Sequence, residues 1–201
     1  RFDAGMLYYC PQIWCSDNTD AIERLRIQYG TSFGYPMSSV SAHVSVCPNH
    51  QNHRVTPFKT RGICAMQGTF GYELDLSKMT DEEKKMAGEQ IAFFKEHGRL
   101  FQFGDYYRLT SPFENRDYTV WEYAAQDGSE ACMSVVYTDM YANAASEIVK
   151  WKGLDPKKVY QMQLDGEDAG NFSGAALMHA GILLPLPEQN YDAFQIYLKA
   201  E

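Results

Sequence analysis

Basic residues, long apolar runs and paired cysteine motifs are all scarce in this sequence of 201 residues. Lysine and arginine total 18 against 26 aspartates and glutamates, which gives a formal net charge of -8. A protein that binds a nucleic-acid backbone needs a basic face to release counterions, so we expect no nucleic-acid partner. The longest apolar stretch near the C-terminus, Ala180 to Leu186, is far shorter than the roughly 20 residues that span a bilayer, and we expect no membrane partner.

The cysteines are odd in number and lie in apolar or strand-like contexts, which is typical of free thiols. They are Cys10, Cys15, Cys47, Cys64 and Cys132. A zinc site would require CxxC pairs or a close cluster of Cys and His. Cys47, His50 and His53 come nearest to that pattern, but a polar loop after a strand explains them more simply. We therefore expect no metal, no other cofactor and a reducing, cytoplasmic compartment.

The first half of the chain alternates short strands with helices. Tyr8 to Trp14 is an apolar run suited to a buried parallel strand, and the helix that follows it ends at Gly30. In a second strand, apolar residues from Val40 to Val46 alternate with serines and His43. The next helix is predicted between Pro57 and Gly68.

A third helix carries the clearest local signal, because Thr80 and Glu83 form a capping box ahead of an apolar stripe that ends at Gly98. We expect this helix to bridge the two halves. In the second half, alternating residues on either side of Asp127 and Gly128 predict a hairpin. Further β-like runs are Ser146 to Trp151, Val159 to Leu164 and Phe194 to Leu198. Short strands separated by turns predict an antiparallel sandwich.

We expect catalytic residues in the turn WCSDNTDAIER, from Trp14 to Arg24, which follows the first strand and leads into a helix. A carboxylate at this position of a strand lies where α/β barrels keep their catalytic groups. Two strand-helix units cannot close a barrel of eight, so the first half should need another polypeptide or upstream sequence. Position 1 is Arg rather than Met, and no charged leader precedes an apolar core. We therefore expect neither a natural start nor a signal peptide here.

Three blocks agree in order and spacing with one family: RFDAGMLYYCPQIWCSDNTDAIERLRIQYGTSFGYP, SAHVSVCPNHQNHR and GTFGYELDLSKMT. Over essentially its whole length the chain resembles the bacterial α-galactosidases of glycoside hydrolase family 36. The resemblance implies an α/β plus all-β fold, namely the C-terminal portion of a (β/α)8 TIM barrel followed by an antiparallel β-sandwich. Residues 1–80 would belong to the barrel, 81–103 to a bridging helix and 104–201 to the sandwich.

The resemblance also implies a reaction. Family members hydrolyse terminal α-linked galactose with retention, as in melibiose or raffinose, using one carboxylate as nucleophile and another as general acid/base. The acid/base lies in a W-x-S-D block, which here ends in Asp17, and Trp14 of the same block would contact the sugar. The implied partners are an α-galactoside substrate and either further copies of the chain, as a homotetramer, or the missing barrel portion.

Other interpretations of these residues remain open. Asp17 also fits a helix cap, since Asp, Asn and Thr crowd the helix start. Asp20 competes as the acid, although we interpret it as a first-turn carboxylate favoured by the helix macrodipole. Trp14 taken alone fits a core aromatic. His43 is either a buried, hydrogen-bonded histidine or a residue that faces the substrate.

Two family features are missing from the sequence. The nucleophile block K-W-D-x-N occurs nowhere, and the glycine triplet that precedes R-F-D in the family would lie before Arg1. A retaining mechanism needs two carboxyl groups about 5 Å apart. The isolated chain is therefore expected to lack galactosidase activity.

The second half of the chain has an alternative function, as a non-catalytic module. As a carbohydrate-binding module it would stack exposed aromatic faces on sugar rings, whereas core packing explains the same alternating aromatics more simply. The residues concerned are Trp121, Tyr123, Trp151 and Tyr160. As an oligomerisation module it would bury its apolar faces against another subunit.

Overall fold

A computed structural model describes residues 3–201, and the chain divides into two compact units. The first unit ends at Gln102 and the second begins at Phe103. Arg1 and Phe2, the first letters of the RFD block, lie outside the described residues. Across the described range, no helix combines the length and the apolar character that crossing a membrane would require.

The first unit consists of helices packed beside very short parallel strands. Single 3-10 turns occur at Ala4–Tyr8, Met37–Ser39 and Leu76–Lys78. The regular elements are α1 (Ala21–Thr31), β1 (Val44–Ser45), α2 (Phe58–Ala65), β2 (Tyr72–Glu73), α3 (Asp81–Glu96) and α4 (Gly98–Phe103).

The strand predicted from Tyr8 to Trp14 is wrong for most of its length. The chain forms a 3-10 turn through Tyr8, in which Asp3 Oδ1 accepts a 2.9 Å hydrogen bond from the Gly5 amide. Pro11 has no amide hydrogen to contribute to a ladder. Only Ile13 pairs as a strand does, in a parallel bridge with Val40.

Three neighbouring segments nevertheless run parallel. Beyond the bridge at Ile13, β1 pairs with β2 in parallel register, with Val44 opposite Tyr72. The alternation predicted for the second strand holds at Ala42 and Val44, which are buried in one cluster with the α2 residue Phe58. It is wrong at the end of the segment, where Ser45 is buried and Val46 is 48% exposed. Because successive side chains of an extended segment point to opposite faces, His43 lies on the other side of the segment from Ala42 and Val44, where it contacts Trp14.

The helices begin where the sequence signals them. Asp20 caps α1, whose buried face carries Arg24, Leu25 and Gln28. The capping box of α3 is confirmed: Thr80 Oγ1 accepts from the Glu83 amide, and the Glu83 carboxylate accepts from the Thr80 amide, both at 3.1 Å. The α3 helix ends at Glu96, just ahead of Gly98, where α4 begins.

The second unit is an antiparallel β structure with one short helix. Its strands and helix are β3 (Asp105–Arg108), β4 (Tyr118–Ala124), β5 (Glu130–Tyr137), β6 (Ile148–Val149), β7 (Val159–Leu164), β8 (Glu167–Ser173), α5 (Gly174–His179), β9 (Ile182–Leu183) and β10 (Ala193–Ala200). One sheet has the strand order β3-β4-β5-β10-β7-β8, and β6 pairs with β9 in a second, two-stranded sheet.

The core of this unit joins the two sheets. Val149 of β6 belongs to the same buried cluster as Val120 of β4 and Val135 of β5. Burying a side chain of this size contributes roughly 1.5–3 kcal/mol. The predicted hairpin is confirmed, with Tyr118 opposite Tyr137 and a turn in which Gly128 adopts a φ of +63°, which favours glycine.

Candidate active site

The turn that follows Ile13 presents an indole and a carboxylate together. Trp14 Nε1 donates a 3.0 Å hydrogen bond to Asp17 Oδ1. Asp17 is exposed, and 47% of the Trp14 surface is exposed as well. The interpretation of Trp14 as a core aromatic is therefore wrong for the described chain, and Asp17 is free to meet a ligand.

Asp20, and not Asp17, caps the helix. The Asp20 side chain is buried, its Oδ1 accepts a 2.8 Å hydrogen bond from the Glu23 amide, and the same atom contacts the Arg54 guanidinium. Asp20 precedes α1 as its N-cap, which corrects its interpretation as a first-turn carboxylate. These contacts use Asp20 for folding and leave Asp17 as the accessible aspartate of this turn.

Polar side chains from the loop after β1 support the same turn. Gln51 Nε2 donates to the Asp17 carbonyl at 3.2 Å, and Asn49 Nδ2 donates to Thr19 Oγ1 at 3.0 Å. His50 Nδ1 lies 3.5 Å from the same hydroxyl. This loop contains the Cys47, His50 and His53 pattern. Within residues 3–201, no three His, Cys, Asp or Glu side chains gather as a metal ion would need.

Arg24 contacts the backbone of two neighbouring parallel segments, at Ser16 and at Ser41. Its Nη1 donates to the Ser16 carbonyl at 3.1 Å and its Nη2 to the Ser41 carbonyl at 2.5 Å. Gln28, one turn further along α1, accepts from Arg24 Nε at 3.1 Å. The guanidinium therefore fixes the turn that carries Asp17 against the strand that carries His43.

His43 lies flat against Trp14. The ring centroids are 4.7 Å apart and the ring planes differ by only 9°. The His43 side chain is 94% buried, since its exposed fraction is 6%, and its Nε2 lies 3.1 Å from Glu73 Oε2. That contact is not aligned as a hydrogen bond, and both ring nitrogens lack hydrogen-bond partners. His43 is thus buried, as one interpretation expected, but it is not hydrogen-bonded.

Burial, more than any neighbouring charge, lowers the pKa of His43 from its usual value. The Glu73 carboxylate opposes this change and the Arg24 guanidinium adds to it. The imidazole is therefore neutral near neutral pH and meets Trp14 as an uncharged aromatic ring.

These groups line an open cleft of about 580 Å³, with Trp14, His43 and Glu73 among its walls. Neither Arg24 nor Glu73 was predicted as a site residue from the sequence. Arg24 could have been found, because it adjoins Leu25 on the inward face of α1, where an unpaired charge is rarely placed. Glu73 gives no such signal, since its side chain is largely exposed.

The four aromatic residues of the second unit that were considered for sugar stacking lie inside it. The side chains considered for sugar stacking are all buried: Trp121, Tyr123, Trp151 and Tyr160. Packing in the core explains them, and none of the four presents a face to a sugar ring.

The sequence and the fold agree with a known family. The family model described as Melibiase matches residues 1–104. The chain belongs to the melibiase family. A second model, described as the glycosyl hydrolase family 36 C-terminal domain, matches residues 118–198 of this melibiase-family chain. The resemblance drawn from the sequence blocks is confirmed, and so is the fold class of a partial barrel followed by an antiparallel β-sandwich.

Two relatives show how much of a longer protein this chain matches. It is 52% identical over 195 residues to the bifunctional α-galactosidase/sucrose kinase AgaSK of Mediterraneibacter gnavus, covering 97% of this chain and 20% of AgaSK. It is 48% identical over 200 residues to the α-galactosidase AgaA of Geobacillus stearothermophilus, covering 100% of this chain and 27% of AgaA. The melibiase-family chain thus spans about a quarter or less of these proteins.

Solved structures agree with the fold. The crystal structure of AgaA superposes with a TM-score of 0.94 at 48% identity, covering 100% of this chain and 27% of AgaA. A variant of AgaA, described in complex with raffinose, gives the same TM-score at 47% identity, with the same coverage of both chains. The melibiase-family fold is therefore matched along the entire chain.

Proposed function

We propose that this chain carries the general acid/base of a retaining α-galactosidase, which hydrolyses terminal α-linked galactose from sugars of the melibiose and raffinose type. The observation that carries the proposal is the exposed Asp17 carboxylate, hydrogen-bonded to Trp14 at the end of a parallel strand segment. The names of the relatives support the substrate class, since AgaA is an α-galactosidase and one of its variants is described with raffinose.

Asp17 acts twice in the proposed mechanism. As an acid it protonates the glycosidic oxygen while a nucleophilic carboxylate attacks the anomeric carbon, and as a base it then takes a proton from the water that releases galactose. Trp14 contributes an aromatic surface for the sugar and holds Asp17 through its indole N–H. The nucleophile comes from residues that this sequence does not contain.

The proposal assigns no activity to the 201 residues alone. Purified chain incubated with 2,4-dinitrophenyl α-galactoside should release no more dinitrophenol than buffer does. Turnover that disappears in an Asp17→Ala variant would contradict this part of the proposal, because it would mean that a complete pair of carboxylates is present.

The role of Asp17 is tested in a chimera in which this chain replaces the segment of AgaA that it matches. Asp17→Ala should lower turnover of raffinose by about 10²- to 10⁴-fold, with a smaller loss for the dinitrophenyl substrate, whose leaving group needs no proton. Azide needs no general base, so with the dinitrophenyl substrate it should restore turnover of Asp17→Ala and yield α-galactosyl azide. A β-galactosyl azide product would identify Asp17 as the nucleophile and overturn the assignment. Asp75→Asn, an exposed carboxyl of the same unit, serves as the control.

We further propose that the first unit associates with the rest of a barrel or with further copies of the chain. Tyr8 and Tyr9 support this, since 87% and 76% of their surfaces are exposed. Five free cysteines support a reducing, cytoplasmic compartment. Light scattering of the purified chain tests the self-association, and a monomer at micromolar concentration would leave only the barrel partner.

A further inference from the structure

Asp17, Trp14 and His43 form a continuous series of contacts, from the exposed carboxylate to a buried ring. Resting on the proposed role of Asp17, we propose that His43 is a positioning residue: its imidazole face holds the Trp14 indole in the one orientation that aims Nε1–H at Asp17. The stacked rings at 4.7 Å and the 3.0 Å hydrogen bond are the two links.

The indole needs such a support because of where it lies. Nearly half of the Trp14 surface is exposed, and the residue belongs to a turn rather than to a helix or a paired strand. An indole in that position is free to rotate about its side-chain bonds unless a neighbouring surface restricts it. A rotation of Trp14 would carry the Nε1–H away from Asp17 and leave the carboxylate without its orienting donor.

His43 is suited to restrict this rotation. Its side chain is 94% buried, with 6% exposed, so its own orientation is fixed. The next residue, Val44, pairs with Tyr72 in the parallel strands, which anchors the backbone beneath the ring. The two ring planes lie within 9° of parallel, so any tilt of the indole meets the imidazole.

The contact uses the face of the ring rather than its nitrogens. Neither His43 nitrogen has a hydrogen-bond partner, and Nε2 lies near Glu73 without the alignment of a hydrogen bond. Two variants therefore separate the two properties of histidine. His43→Phe keeps a flat ring against Trp14 and loses the nitrogens, whereas His43→Asn keeps polar atoms and loses the ring.

The first experiment uses the 201-residue chain itself and requires no activity. The indole N–H resonance of Trp14, assigned by its loss in Trp14→Phe, is followed by ¹H–¹⁵N NMR. His43→Ala and His43→Asn should move this resonance towards the position it takes in Asp17→Ala, and His43→Phe should leave it near the wild-type position. An unmoved resonance in His43→Ala would overturn the proposal.

The second experiment measures kcat/KM of the AgaA chimera for raffinose and for 2,4-dinitrophenyl α-galactoside. A misaimed acid slows the reaction that needs a proton, so His43→Ala should lower the raffinose value at least about tenfold and the dinitrophenyl value less than about threefold. His43→Phe should restore the ratio of the two values, and His43→Asn should not. Equal losses on both substrates, or rescue by Asn rather than Phe, would overturn the positioning role.

The two proposals fail in different ways. If Asp17→Ala shows no dependence on the leaving group, Asp17 is not the acid and the proposed function falls. If Asp17→Ala shows that dependence and His43→Ala does not, the proposed function stands and only the role of His43 is lost.

Discussion

Within residues 3–201, each unit buries one acidic residue, and the surroundings of the two differ. In the first unit, Asp20 caps α1 and contacts the Arg54 guanidinium, so a positive group accompanies its burial. In the second unit, Glu122 is fully buried on β4, and both of its oxygens accept from the backbone amide of Lys152, at 3.0 and 3.3 Å. Burial raises the pKa of Glu122 to about 8 despite that hydrogen bond.

The two carboxyls differ in the group that contacts them, which is a guanidinium for Asp20 and a backbone amide for Glu122. Asp20 organises a turn and a helix through its contacts. Glu122 instead makes the second unit sensitive to pH, because the loss of hydration of its ionised form outweighs both the amide hydrogen bond and the attraction of the Lys152 charge.

The largest expected effect is the pH dependence of the second unit. The Glu122 pKa rises from 4.5 to about 8 on folding, so the unfolded chain releases its proton first. The stability of the folded unit is therefore highest below about pH 4.5 and falls as the pH rises towards 8, by roughly 5 kcal/mol in total. Glu122→Gln should abolish most of this fall in urea unfolding measured between pH 4 and 9 by tryptophan fluorescence.

Glu188→Gln is the matched control for this change, since Glu188 is exposed in the same unit. It should reproduce the wild-type fall in stability. An equal fall in Glu122→Gln would assign the pH dependence to another group and remove the contrast between the two buried carboxyls.

A smaller loss is expected from Asp20. Asp20→Ala removes the helix cap and leaves the Arg54 guanidinium without this carboxylate, and it should lower the free energy of unfolding by about 3 kcal/mol. Asp17→Ala, only three residues away but exposed, should change it by less than about 0.5 kcal/mol. Urea unfolding of the two variants measures the difference, and equal losses would show that Asp17 also supports the fold.

The smallest effect concerns the start of α3, where Thr80 and Glu83 form the capping box. Thr80→Ala removes one half of the capping box and should cost about 1 kcal/mol in urea unfolding followed by circular dichroism. Thr80→Ser keeps the hydroxyl and should cost far less. A loss as large as that of Asp20→Ala would mean that Thr80 does more than cap its helix.

The sequence predicted structure that depends on local signals better than it predicted pairings between distant segments. The capping box of α3 and the Asp127-Gly128 hairpin depend on neighbours in sequence, and both were predicted. The strand predicted through Tyr8 depends on partners across a sheet, and apolar character alone could not reveal that the segment turns instead. The two-residue strand β2 and the helix α5 are too short to show a period.

The residues of the candidate site also differ in whether a local signal predicted them. Asp17 and Trp14 were found through a motif within four residues, and their roles remain predictions. His43 stacks on Trp14 although the two residues are 29 positions apart in the sequence, and no property of either residue predicts this contact.

The two backbone carbonyls that accept hydrogen bonds from Arg24 make the site sensitive to movement of α1. One planar group rooted in α1 sets the spacing between two backbone segments, so a shift of the helix by a fraction of a turn would displace both segments at once. Lysine would keep the charge but could not span both oxygens with a rigid fork. The separation of Trp14 from His43 therefore depends on a helix whose Arg24 guanidinium also lies over the Trp14 ring, 5.9 Å from its centroid.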